Sequence, residues 1–150
     1  MNDPIETSRT APAVDGPAPT SHSRMKAAAV RVLSAAGFDS RMELRRCDVC
    51  GKYGRHVLCL EIERAANRHV LVNAARNISQ GATHTSIACP DFRTQAAVCR
   101  LLDRELPPEV RHRVSVVTFS LIDFLGQLAL SAPETISQHG AGDNKNKHEQ

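Results

Sequence analysis

The chain has 150 residues, 41% of them hydrophobic and 23% charged, which suffices for one globular domain burying roughly 70% of its unfolded surface. No apolar run approaches the ~18 residues of a spanning helix. The opening stretch, MNDPIETSRTAPAVDGPAPTSHS, lacks the basic and apolar regions of an export signal, so a membrane or secreted location is disfavoured. Five cysteines, an odd number, then suggest a reducing cytoplasm rather than a disulfide scaffold.

Residues 1–23 and 132–150 carry most of the Pro, Ser, Thr, Asn and Gln and almost no apolar periodicity, so both are expected to be disordered tails around a single domain at 24–131. That domain holds sixteen basic and ten acidic residues, a net +6, against +3 for the whole chain. Fourteen of the sixteen are Arg, whose planar fork suits phosphate. A nucleic-acid partner is the natural expectation, DNA first. Only 3% aromatics argue for backbone contact over base stacking.

In chain order, Met25, Ala29, Val32, Leu33 and Ala36 recur at helical spacing before Gly37, which predicts a helix over 24–36 with a left-handed stop. Met42 and Leu44 alternate with Glu43 and Arg45, and a Gly51-Lys52-Tyr53-Gly54 turn precedes the β-forming run 57–63. Together they predict a hairpin, with a further short strand around 46–50. Asn67 is placed to cap a helix over 68–80 that Gly81 ends. A buried strand at 85–89, a helix at 92–106 with Phe92, Ala96, Cys99, Leu102 and Leu106 on one stripe, a strand at 114–119 and a last helix from Leu121 follow. The order is that of an α/β fold, a mixed sheet between helices, since hairpins give antiparallel pairs and strand-helix-strand crossovers give parallel ones. The apolar last helix, 121–130, is a surface through which a homo-oligomer or protein partner could bind.

Two constellations carry chemistry. Residues two apart on a strand share a face, so Glu61 and Glu63 project side by side. If the hairpin sets Asp48 opposite Glu61, three hard oxygen ligands converge on a site for Mg²⁺ or Mn²⁺, the chemistry of phosphodiester hydrolysis. The ordinary reading is an exposed strand face paired with Arg64 or Arg45. The second constellation is Cys47-Asp48-Val49-Cys50-Gly51, the CxxCG form of a zinc knuckle. It needs further ligands from Cys59, His56, His84, Cys89 or Cys99; Cys59 and Cys89 read as core residues, and His56, six residues past Cys50 and reachable across the turn, is the first candidate. If 45–50 is a strand, Cys47 and Cys50 face opposite ways, and the ordinary reading is buried free thiols.

The succession of a helix, Glu43, Asp48, Glu61-Ile62-Glu63, then Asn73-Ala74-Ala75-Arg76-Asn77-Ile78 and a buried strand resembles the restriction-endonuclease-like (PD-(D/E)XK) nuclease superfamily over roughly residues 25–119. The resemblance implies an αβββαβ core, DNA as substrate, a metal-dependent nuclease activity or a degenerate relative of it, Asp48 as the motif acid and Glu61 as the first position of the (D/E)xK signature. Glu63 stands where Lys is usual, which removes a cation unless Lys52, Arg64 or Arg76 supplies one. A second register would make 68–73 the third strand, with Asn73-x-Ala75 at the signature and no catalysis; the cap, apolar face and Gly stop of 68–81 favour the first. On this reading Asp48, Glu61 and Glu63 are the catalytic and metal-binding residues, and Arg68 and Arg76, on the polar face of the second helix, contact nucleic acid. The competing class is a non-enzymatic module in which zinc is held by Cys47, Cys50 and His56.

Overall fold

A computed structural model describes residues 21–131; of the tails expected at 1–23 and 132–150, residues 1–20 and 132–150 lie outside the described residues. The chain runs α1 (Ser21–Ala35), β1 (Asp39–Met42), β2 (Val49–Tyr53), β3 (His56–Ile62), α2 (Arg68–Ser79), β4 (His84–Cys89), α3 (Phe92–Glu105), α4 (Pro108–Arg111), β5 (Val114–Thr118) and α5 (Phe119–Ser131). The five strands form one mixed sheet in the order β1-β2-β3-β4-β5. β2 runs antiparallel to both of its neighbours, β1 and β3, and β3, β4 and β5 are parallel. This is the α/β architecture expected from the sequence. Among the described residues, no helix is long and apolar enough to cross a membrane.

The connectivity dictates the layers. Successive crossovers from β3 to β4 to β5 step in one direction, and because such crossovers are right-handed, α2 and α3 cover the same face. The other face is left to α1 and α5. Its core is Met25, Ala28, Ala29 and Leu33 of α1 against Val49, Leu60, Ile62, Ala88 and Ile122. The α2/α3 core is Val70, Ala74, Ile87, Cys89, Val98, Leu102 and Val114. Gly51 permits the close approach of α1, since a Cβ there would stand 3.1 Å from Leu33 Cδ1 and 3.2 Å from Phe38 Cδ1.

The helices follow their local signals. Asn67 caps α2, its side chain accepting from His69 N at 2.9 Å, and Gly81 follows with φ +99°. Asp91 caps α3 through Thr94 N at 2.7 Å. Pro108 opens α4, a turn the sequence reading lacked; its fixed φ suits a first helical position. The buried stripe of α3 runs through Val98 and Leu102, whereas Phe92 is 77% exposed. Two apolar lines share Leu102, and the capped start of the helix turns the one through Val98 toward the sheet.

The hairpin differs most from expectation. β1 is the polar edge segment Asp39-Ser40-Arg41-Met42, Leu44 lies beyond it in a loop, and the short strand expected at 46–50 is β2 at 49–53. Between them, Glu43, Arg45 and Arg46 adopt left-handed backbone, with φ of 57°, 58° and 61°. Residues 21–23, grouped by composition with the N-terminal tail, form the first turn of α1. On α5, Leu121, Phe124, Leu125 and Leu128 are exposed, so the apolar face flagged in the sequence is on the surface.

Candidate functional site: an acidic centre and a thiol cluster

β3 carries the site. Val57, Cys59 and Glu61 alternate onto the α2 face, while Leu60 and Ile62 point to α1. The register pairs Cys50 with Cys59 and Val49 with Leu60, so Asp48, one residue before β2, falls opposite Glu61. The pairing is the one the acidic reading supposed, but the side chains part: Asp48 turns to His22 and Lys26 of α1, whereas Glu61 faces Asn77 and Arg76 of α2. The pair lies toward the carboxyl ends of the parallel strands, where open α/β sheets usually bind ligands.

Glu61 is not on an exposed face. It is 5% exposed and accepts hydrogen bonds from Asn77 Nδ2 at 2.7 Å and Arg76 Nη2 at 3.3 Å. Burial is the main force raising its pKa above the ordinary carboxylate range; the Asn77 hydrogen bond opposes this, the charge of Asp48 adds to it, and Arg76 opposes it. Glu63 accepts from Asn73 Nδ2 at 3.0 Å, and its pKa is also raised, first by burial and then, against the Asn73 bond, by Asp48. Asp48 is anchored by Ile62 N, which donates to Oδ2 at 2.8 Å and so continues the ladder with a side chain. Its Oδ1 faces His22 Nε2 at 3.1 Å and Lys26 Nζ at 3.4 Å. Lys26 also pairs with Glu43.

Of the three cations proposed to replace the missing Lys, Arg76 reaches Glu61. Arg64 bonds Ser21 instead, and Lys52 lies on β2 beside a separate cavity. Arg68 is exposed, as a phosphate contact requires. Arg76 is turned inward, its side chain 27% exposed and donating also to Arg46 O at 2.9 Å, so it belongs to the acidic centre rather than to an outer surface. α2 is helical through Asn73, which removes the alternative register. Four residues of the centre escaped sequence reasoning: His22 and Lys26 of α1, and Asn73 and Asn77. The Asn73/Asn77 spacing of four, which sets both amides on one helix face, was the signal available. Two buried atoms there lack partners, Asn77 Oδ1 and Arg76 Nε, open valences that a ligand or water would take.

The cysteines lie on the same face, one step back along the strands. Among the described residues, Cys47, Cys50 and Cys59 form the one group of three or more Cys, His, Asp or Glu whose ligand atoms all lie within 4.8 Å of one another; the three carboxylates do not meet that test. Cys59 takes the position expected of His56, which is exposed at the β2–β3 turn. The conflict expected between Cys47 and Cys50 does not arise, because Cys47 precedes the strand and the left-handed loop turns it inward. Its thiol donates to Leu44 O at 3.0 Å and Val49 O at 3.3 Å. Its pKa is raised, chiefly by the Cys59 interaction and then by burial, and burial raises that of Cys50. The two constellations coexist as neighbours. No family model, curated protein or solved structure matches this chain.

Proposed function

We propose that the chain is a nuclease-like domain of the restriction-endonuclease-like kind, acting on nucleic acid, DNA first, with Mg²⁺ or Mn²⁺ at Asp48, Glu61 and Glu63. The observation that carries this reading is Asp48 across from a buried Glu61, with Glu63 two residues on. Asp48, just before β2, and Glu61, on β3, stand at the two acid positions that the resemblance implies, and Glu63, one residue past β3, stands at the position of its Lys. The element order α1-β1-β2-β3-α2-β4 agrees with the αβββαβ core that the resemblance implies.

The residues fit a hard divalent cation by donor type, and the unpartnered Asn77 Oδ1 adds an oxygen beside them. A bound cation would offset phosphate charge and lower the pKa of a water. The chain's own residues do the rest. Lys26 and His22 hold Asp48, so metal has to compete with them, which weakens its binding. Arg76 supplies, from α2, the positive charge that Glu63 removes from the signature. Exposed Arg64 and Arg68, just beyond β3, meet the backbone phosphates.

The test combines binding and cleavage of a DNA duplex and of a single strand, with Mg²⁺ or Mn²⁺ against chelator. Expected are binding that weakens steeply with salt, a log–log slope near −0.9 per phosphate neutralised, and metal-dependent cleavage lost in Glu61→Gln and Asp48→Asn. Absence of any binding at ~50 mM salt, together with no thermal shift from either metal, refutes the reading.

A further inference from the structure

We infer that Cys47, Cys50 and Cys59 form a second metal site, a three-thiolate centre for zinc(II) whose fourth position is taken by solvent from the cavity beside Cys50. The inference does not depend on the acidic centre, which is made of different donors with the opposite preference, since thiolates select soft and borderline ions and carboxylates hard ones.

Three observations meet in it. First, the sulfurs already cluster within 4.8 Å of one another. Zinc–sulfur bonds of ~2.3 Å in a tetrahedron put sulfurs ~3.8 Å apart, so closure requires side-chain shifts of about an ångström or less and no change of fold. Second, each cysteine is held by the backbone. Cys50 and Cys59 are directly paired across β2 and β3, and Cys47 is swung in by a loop with three non-glycine residues in left-handed conformation. Such conformations cost about 1–3 kcal/mol each and persist where surroundings over-determine them. The same loop presents Cys47 and Cys50 as a C-x-x-C pair followed by Gly51, the spacing that lets two thiolates reach one ion.

Third, the site has an entrance and a charge balance. Cys50 lines a cavity of about 150 Å³ together with Arg41, Arg45, Lys52 and Asp39. Three thiolates on zinc carry one net negative charge, which this predominantly cationic wall offsets. No histidine or carboxylate joins the three sulfurs as a fourth ligand among the described residues, and an ion there completes its shell with water from that cavity. On binding, three S–H bonds break, three protons leave to the buffer and three S–Zn bonds form, so no oxidant or reductant is required.

The experiment is metal analysis of the full chain prepared under reducing, chelator-free conditions, with thiol titration of the native protein before and after zinc removal. Expected are one zinc per chain, three thiols that become reactive only once zinc is stripped while Cys89, fully buried in the α2/α3 core, stays protected, a melting temperature that falls on stripping and recovers with zinc, and visible bands of tetrahedral thiolate coordination after cobalt substitution. Cys59→Ser should lose zinc while Cys99→Ser, at a half-buried cysteine outside the cluster, keeps it. If Cys59→Ser does not fold, thiol protection and cobalt spectra of the wild type still decide. Retention of zinc by Glu61→Gln separates this centre from the acidic one. A chain that neither retains nor rebinds zinc, cluster thiols whose reactivity is the same with and without zinc, a disulfide formed within the cluster in place of binding, or equal loss of zinc in Cys99→Ser overturns the inference.

Discussion

Replacing Glu61 by alanine and by glutamine separates the two roles a buried carboxylate can play. Alanine leaves the Asn77 amide, itself 2% exposed, without its acceptor at 2.7 Å. An unsatisfied buried donor costs about 1–3 kcal/mol, and the void between β3 and α2 adds about 1 kcal/mol. A loss of about 2–4 kcal/mol follows, or about 8–16 °C in melting temperature for a domain of this size. Glutamine keeps the volume and an acceptor oxygen for Asn77 and removes only the charge. Arg76 retains Arg46 O as a partner. Because burial is the first cause of the raised Glu61 pKa, followed after the opposing Asn77 bond by repulsion from Asp48, removing the charge relieves a penalty. Glu61→Gln should therefore equal or exceed the wild type in stability at neutral pH.

The pH dependence has a definite sign. A carboxyl whose folded pKa lies above its unfolded value binds its proton more readily in the folded state, so its charge penalty is absent below the unfolded pKa, near 4.3. The penalty grows as pH rises through the raised folded pKa and is complete above it. The difference between Glu61→Gln and wild type should open with rising pH and close in acid. Urea unfolding of the three proteins across pH measures it. A glutamine variant as unstable as the alanine one, with the wild type favoured at neutral pH and the gap closing in acid, would show that attraction to Arg76 outweighs desolvation and refute the reasoning.

Leu102, fully buried in the α2/α3 core, should cost about 2–5 kcal/mol when changed to alanine, with an unchanged denaturant slope. The His84 pKa is lowered by burial and then by Arg113 and His112, so its neutral form stabilises the fold fully above about pH 6.5 and stability falls as pH drops below that value; His84→Gln, which can retain the contact with Ser115, should flatten this slope in thermal unfolding. Arg68→Glu should weaken nucleic-acid binding for all sequences alike and reduce the salt slope while leaving stability within about 0.5 kcal/mol; a sequence-selective loss in binding assays would contradict a phosphate contact.

The helices were legible in the sequence because their signals are local: Asn67 stands immediately before α2 and Gly81 two residues after it. β1 was not, because an exposed polar edge strand has no apolar alternation, and the pattern at Met42 and Leu44 straddles a strand end and a loop. Pairing was half legible. Two-residue periodicity set Glu61 beside Glu63, and one hairpin set Asp48 across from them, but burial of that face depends on α2, which packs on it with Asn73 and Asn77 in place of apolar residues. His22 was hidden by composition, since Ser21-His22-Ser23 reads as tail until Asp48 is seen to face it. Cys59 read as core and is core; its pairing with Cys50 follows from the register that the two-residue Gly54-Arg55 turn sets, one residue pair at a time from Tyr53 and His56.

The loop 43–48 governs both constellations, because it aims adjacent residues in different directions: Cys47 toward Cys59, and Asp48 toward Ile62 N and His22. Its left-handed positions therefore offer a direct test. Arg46 has φ 61° and an exposed side chain, and its structural contact is the carbonyl that accepts from Arg76, a main-chain group that any substitution keeps. Glycine at this position removes strain of about 1 kcal/mol and adds unfolded-state entropy of about 0.5–1 kcal/mol, for a net effect near zero. Valine, whose branched Cβ tolerates positive φ least, should cost about 1–2 kcal/mol more than glycine. The same ranking should appear in zinc affinity, since a loop pushed out of its conformation withdraws Cys47 from the other two sulfurs. Paired unfolding and zinc-competition measurements on Arg46→Gly and Arg46→Val check it. Equal stability and equal zinc affinity in the two variants would mean that Arg46 does not hold a left-handed backbone in solution and that the loop does not position Cys47.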